Sequence, residues 1–209
     1  MFINTLFSAL VADWKSEDTR TLPSIIDVIV PLSYNTLPRE LCSGTRAAFM
    51  KALELKQWCP GALFMFVNCA HSGFPGCAQR EYELKKEILA AGKGRWNNHW
   101  PDSYICAGEA VNSVTEAETI RTMLVSPPKR ILVVCGEIHS HSVRSIWEKV
   151  FPDTQIIIRC FPHTQEYQKD HPFFVVRSSW VYFATSVVRQ VLLRTIGVRN
   201  LGKLSHRAS

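Results

Sequence analysis

The sequence predicts a doubly wound α/β fold of Rossmann-like type: a mainly parallel five-stranded sheet with helices on both faces. Three observations predict it. Five short apolar runs recur along the 209 residues, each is followed by a stretch with helical spacing, and the runs are apolar almost without interruption. Uninterrupted apolar strands belong to sheets covered on both faces, and strand–helix alternation joined by right-handed crossovers leaves a parallel sheet as the compact arrangement.

The first strand is DVIVPL at 27–32, preceded by an N-terminal extension over 1–26. After the turn-rich SYNTLP, the stretch 40–58 places Leu41, Ala48, Ala52, Leu53 and Leu55 at mostly helical spacing before Pro60 and Gly61 end it. ALFMFVNC at 62–69 is the second strand, with a helix near 79–91. SYICA at 103–107 is the third, with a helix from about 115 to 124. RILVVCG at 130–136 is the clearest buried strand; HSVRSIWEKVF follows as a helix, and TQIIIRC at 154–160 is the fifth strand. A last amphipathic run, about 178 to 196, carries Trp180, Val181, Ala184, Val187, Val188, Val191 and Leu192. Its apolar stripe reads as core packing on the domain, not as a cofactor box.

A hydrophobic fraction of 46% against 20% charged residues supports one buried core, and 10 Gly with 11 Pro, near ordinary usage, exclude collagen-like and low-complexity classes. No apolar stretch reaches the roughly 18 to 20 residues of a membrane-spanning helix. The start, MFINTLFSALVADWK, has no basic residue ahead of its apolar run. Seven cysteines, odd in number and never in a C-x-x-C pair, argue against a disulfide framework or a zinc ribbon. The expectation is a soluble, cytoplasmic protein with reduced thiols. The net charge of +6 is C-terminal. Arg177, Arg189, Arg194, Arg199, Lys203 and Arg207 face no acid from 177 onward, leaving 18 bases against 18 acids before them. This tail reads as a solvated helix face with a frayed end; contact with an anionic membrane surface is its alternative, and no specific nucleic acid is expected.

In such sheets ligands bind beyond the carboxyl ends of the strands, where strand order reverses, so the loops after the strands carry the candidate chemistry. After the fourth strand, His139, His141 and Arg144 cluster at a helix start. Unpaired backbone N–H groups and the positive end of the helix dipole suit a phosphate or carboxylate there. Ser140 or Ser142 is a candidate cap. The structural alternative pairs Arg144 with an acid of a neighbouring helix. Metal binding by His139 and His141 with Glu137 or Glu109 lacks a third ligand marked by spacing, and Cys69, His71 and Cys77 match no closed zinc pattern, so no metal is expected. After the third strand, Glu109 leads into Asn112, Ser113, Thr115, Glu116 and Glu118. Thr115 with Glu118 fits a capping box; Glu109 is not explained that way and is a candidate general base. After the second strand, Asn68, His71, Ser72, Gly73 and Gly76 form a loop suited to phosphate or ribose. The P-loop, the G-x-G-x-x-G fingerprint and G-x-S-x-G are all absent.

DVIVPL, the acid followed by N-S-V-T, ILVVCGEIHSHSVR and FPDTQIII together resemble the YdcF/SanA/ElyC-like family, whose shared domain has no assigned function; the resemblance covers roughly 27–163. It implies an α/β domain of that type over 27–176, with 177–209 as a C-terminal amphipathic helix and basic tail packed on it. The family's post-strand acid and Ser/Thr/Asn-rich turn land on Glu109, Asn112 and Thr115, and its His-x-x-Arg turn lands on His141 and Arg144. The chain departs from the family where glycine turns are usual. Leu32, Ser33 and Tyr34 follow the first strand, and Asn68, Cys69 and Ala70 the second.

These readings give a small α/β enzyme or ligand-binding protein for an anionic, phosphorylated or nucleotide-like small molecule, with hydrolysis or group transfer as the reaction class. Arg144, with Asn112, Thr115, Asn68 and Ser33, would bind the ligand. His141 and Glu109 would be catalytic, with His139 as a second acid or base. A variant places a nucleoside-containing cofactor such as S-adenosylmethionine in the crevice, the acid then contacting ribose. The alternative is a non-catalytic interaction protein using the basic C-terminal helix, with a vestigial pocket.

Overall fold

A computed structural model of the chain describes residues 2–18, 21–70, 74–92, 103–169, 171 and 174–196. Among them, eleven helices and strands run in order: α1 (Phe2–Trp14), β1 (Val28–Pro31), α2 (Ser43–Trp58), β2 (Leu63–Cys69), α3 (Cys77–Gly92), β3 (Ile105–Ala110), α4 (Ser113–Met123), β4 (Arg130–Gly136), α5 (Ser140–Val150), β5 (Gln155–Phe161) and α6 (Ser179–Ile196). Two single 3₁₀ turns, His163–Gln165 and Phe174–Arg177, lie between β5 and α6. The sheet runs β3-β2-β1-β4-β5 and every pairing is parallel, which makes this a doubly wound α/β fold. Strand order reverses between β1 and β4, so the topological switch point lies beyond their carboxyl ends.

The period of two along each strand divides the core. Val28, Val30, Met65, Val67, Ile131, Val133, Ile156 and Ile158 face α4 and α5, where Trp147, Ile146 and Ile120 complete one layer. Ile29, Phe64, Phe66, Leu132, Val134 and Ile157 face the other way, onto Phe49, Ala52 and Leu53 of α2 and Leu89 of α3. Both faces are covered, and this is why the strand sequences show no polar alternation. All seven cysteines are free thiols. No described helix is long and apolar enough to cross a membrane.

Two segments differ from expectation. The N-terminal extension contains α1, which lacks an acidic first turn and a basic last turn and is held by tertiary packing. Phe7 and Val11 bury against Ile138, Val176 and Tyr182, and the Trp14 indole donates to the Ile138 carbonyl at 3.0 Å. β3 does not stop at 107 but runs on to Ala110 through a register shift opposite Phe66 and Val67. Gly108 takes φ +128° there, a conformation that other residues rarely adopt, and the shift re-aims the residues beyond it. The tail residues Arg199, Lys203 and Arg207, and His71, Ser72 and Gly73 of the loop after β2, lie outside the described residues.

Candidate functional site

A cavity of about 210 Å³ opens at the carboxyl ends of β1, β2 and β3, beside the switch point. β1 delivers Ser33 and Tyr34, β2 delivers Asn68, the start of α4 delivers Asn112 and Ser113, the loop after β4 delivers His139, and α6 closes the space with Tyr182 and Arg189. Of the residues singled out in the sequence, Ser33, Asn68, Asn112, Ser113, Glu116 and His139 meet in this cavity.

Glu109, His141, Arg144 and Thr115 do not, and each has a physical reason. Glu109 belongs to β3 itself, paired opposite Asn68, and the preceding register shift leaves it exposed outside the cavity. The His141 ring lies 4.8 Å from the Trp14 ring, and burial against α1 lowers its pKa. Arg144 is engaged by the chain after α1: it donates to the Ser16 hydroxyl at 2.7 Å, the Ser16 carbonyl at 3.2 Å and the Asp18 carboxylate at 2.6 Å. It pins the N-terminal segment to β5. Thr115 completes a capping box in which Asn112, not Thr115, is the cap. The Asn112 Oδ1 accepts from the Val114 and Thr115 N–H groups while Thr115 Oγ1 accepts from the Asn112 N–H. Ser140 is no side-chain cap either, because its hydroxyl donates to the Glu137 carbonyl and the position before α5 is His139. Glu137 is taken by Lys15 and His163, and among the described residues no group of three His, Cys, Asp or Glu side chains is placed to hold a metal.

Below the cavity lies a buried polar network that the sequence did not mark. The Glu81 carboxylate pairs with Lys85 at 2.6 Å, both on α3 and both fully buried; it accepts from the Ser33 hydroxyl at 2.6 Å and the Cys69 N–H at 3.0 Å. Lys85 also donates to the Val67 carbonyl at 2.7 Å. Glu116, on the first turn of α4, accepts from the Ser33 N–H at 3.0 Å; burial pushes its pKa up to about 8, so it is protonated at neutral pH. Where the family resemblance expects glycine turns, Ser33 and Asn68 are thus tied to side chains beneath the strands.

On the opposite wall the Glu166 carboxyl accepts from the Ile138 and His139 N–H groups at 2.5 and 3.3 Å, and burial raises its pKa well above the carboxylate range. It crosses β4 where a Cβ on Gly136 would stand 1.9 Å from its Cδ, so only glycine fits. His139 is 5% exposed; desolvation, then the charge of Arg189, lowers its pKa to about 3, and the ring is neutral. Its Nε2 lies 3.0 Å from the Ser113 hydroxyl, while its Nδ1 is buried with no hydrogen-bond partner among the described residues.

Arg189 is the cation of the cavity. It forms no salt bridge among the described residues; burial lowers its pKa, and the nearby Tyr182 and Tyr34 oppose that effect. Arg189 and Tyr182 are seven apart on α6 and so share one face, a spacing visible in the sequence once that helix is known to cover the switch point. Glu109, the acid expected on the ribose of a nucleoside-containing cofactor, stands outside the cavity. In comparison with known proteins, no family model matches the chain significantly, and neither does any curated protein or solved structure.

Proposed function

We propose that the cavity binds a small anionic molecule, or the anionic end of a phosphorylated or nucleotide-like one, as the site of a small α/β enzyme or ligand-binding protein. The observation that supports it is the guanidinium of Arg189 at a polar cavity, with no carboxylate paired to it among the described residues. The nearby carboxyls compete little for that charge: Glu81 is matched by Lys85, and burial raises the pKa of Glu116, to about 8, and of Glu166. A desolvated cation with no carboxylate paired to it among the described residues favours an anion strongly, and Asn68, Asn112 and Ser113 supply the uncharged contacts that orient it. Arg189 takes the role that the sequence assigned to Arg144. Kinship with the YdcF/SanA/ElyC-like family remains part of the proposal and rests on the motifs alone.

The test is thermal shift of the purified chain with phosphate, succinate and nucleoside monophosphates, wild type against Arg189→Gln. Native-state ligands stabilise by mass action, about 2.7 kcal/mol at a hundredfold excess over Kd. An anion-dependent rise lost in Arg189→Gln supports the reading, and an undiminished response in that variant overturns it.

The interaction-protein reading draws on a different observation: Trp180, Val181, Val188, Val191 and Leu192 are exposed on the outer face of α6. Deleting the chain beyond 176 cannot separate the two readings, because it removes Arg189 as well. Val188→Ser with Val191→Ser, on the outer face, spares the cavity and tests only the second.

A further inference from the structure

We infer that Ser113 and His139 are a nucleophile and its general base, and that the cavity hydrolyses a carboxylic ester whose acyl part carries the anion held by Arg189. The inference rests on the anion-site reading and adds to it a reaction and a substrate class.

The geometry comes first. Ser113 Oγ and His139 Nε2 are 3.0 Å apart, within the reach a nucleophile–base pair requires, and both residues line the cavity with Arg189. Ser113 is the first residue of α4, at the positive end of an eleven-residue helix, which favours negative charge developing at its oxygen. The side chain is free to react because the cap of α4 is Asn112, which satisfies the Val114 and Thr115 N–H groups itself. His139 is 95% buried, neutral and turned toward Ser113, with no acid on its ring among the described residues. The ring packs between Tyr34, at 6.0 Å, and Tyr182, at 6.4 Å, and its one hydrogen-bond partner among the described residues is the cavity-facing Ser113 hydroxyl.

The charge count selects the acyl over the phosphoryl class. Transfer of a phosphoryl group spreads charge over three oxygens and calls for several cations. Here one guanidinium among the described residues lines the cavity, enough for one fixed substrate anion, and the positive end of the α4 dipole favours a single developing oxyanion. In the first half-reaction the Ser113 oxygen bonds to the ester carbon as the bond to the leaving alcohol breaks, and the hydroxyl proton passes to His139 Nε2 and on to the departing oxygen. In the second, water attacks the acyl-serine, its proton takes the same route back to Ser113, and the carboxylic acid leaves.

The experiment uses the full chain with the p-nitrophenyl monoester of succinic acid, which bears one carboxylate, and with p-nitrophenyl acetate, which bears none. Acid-quenched samples are read by peptide mass spectrometry. The expected result is a succinyl group on Ser113, formed faster than acetyl, absent in Ser113→Ala and formed on the order of a hundredfold more slowly in His139→Gln. Circular dichroism and melting of Ser113→Ala, a mild change at a partly exposed helix start, confirm that the variant folds. No acyl group on Ser113, or p-nitrophenol release undiminished in Ser113→Ala, overturns the nucleophile while succinate still stabilises the wild type through Arg189. If succinate and phosphate leave the melting temperature unmoved as well, the anion site falls with it.

Discussion

Replacing Arg144 with alanine should destabilise the protein and leave its response to anions intact, the reverse of what the sequence suggests for this residue. The side chain is about three-quarters buried, and its guanidinium joins the Ser16 hydroxyl, the Ser16 carbonyl and the Asp18 carboxylate, with longer contacts to the Ile156 carbonyl and Glu148 at 3.4 Å. Asp18 in turn accepts from the Ile158 N–H at 2.8 Å, so the arginine fastens the segment after α1 to β5. A partly exposed ion pair contributes up to about 1 kcal/mol, and the bonds to Ser16 with the packing of the stem add about as much again, giving a loss of about 2 kcal/mol. For a domain of this size that lowers the melting temperature by about 6 °C. Urea unfolding gives the free energy, and a phosphate titration of the melting temperature gives the binding response. A variant that melts with the wild type and has lost the phosphate response would return Arg144 to the binding site and refute the assignment of Arg189.

Three further perturbations probe the ground beneath the cavity. Gly136→Ala places a methyl group on the Glu166 carboxyl and should cost about 3 kcal/mol in urea unfolding, with part recovered in the Glu166→Ala background; an equal cost in both backgrounds would show that the overlap is not the cause. Because burial raises the Glu116 pKa from 4.5 to about 8, the folded state holds a proton that the unfolded chain releases; the associated stability is present below pH 4.5 and is lost as pH rises through about 8. Glu116→Gln should therefore match the wild type near pH 5 and exceed it above pH 8, by at most on the order of 4 kcal/mol, and parallel stability profiles would contradict this. Lys85→Met leaves the Glu81 carboxylate buried without its cation and should cost about 3 to 5 kcal/mol, most of it regained in the double variant with Glu81→Met; a double variant as unstable as the single would assign the loss to packing.

The fold is legible because one signal, apolar periodicity, determines it twice: each strand run and each subsequent helical run agree with the same layered sheet. RILVVCG and TQIIIRC correspond to β4 and β5 within a residue because each carries a run of buried apolar residues, 131–135 and 156–158, between polar or glycine ends. β3 reads short in the sequence, since its last residues, GEA, carry a glycine and an acid, and only pairing with β2 across a register shift makes them strand. That one misplaced end moves Glu109 from a loop into an edge strand and removes it from the site. α1 escapes sequence reading for a related reason, since its stability comes from Phe7 and Val11 docking on residues more than a hundred positions away. The site divides in the same way. Asn68, Asn112 and His139 are visible because strand ends mark them, whereas Arg189 comes from a helix whose docking position no local pattern encodes. That Arg144 pairs with Asp18 and does not line this cavity is hidden in the sequence because the segment that engages it is distant in the chain.

The exchange of one arginine for the other follows from how buried charge is distributed. Arg144 stands over Asp18, and Lys85 over Glu81, so each of those cations has its own carboxylate. Glu116 and Glu166 are instead enclosed so closely that burial raises their pKa, and the backbone N–H groups they accept can still be satisfied by a neutral carboxyl. A cation at a cavity wall with no carboxylate paired to it among the described residues is unfavourable without a ligand. Were Arg189 only a structural residue, Met would fill the same space without the desolvation cost, so Arg189→Met should raise the stability of the empty protein while abolishing its stabilisation by anions. That opposition of effects is the mark of a residue kept for its ligand, since a structural ion pair would lose stability on the same substitution.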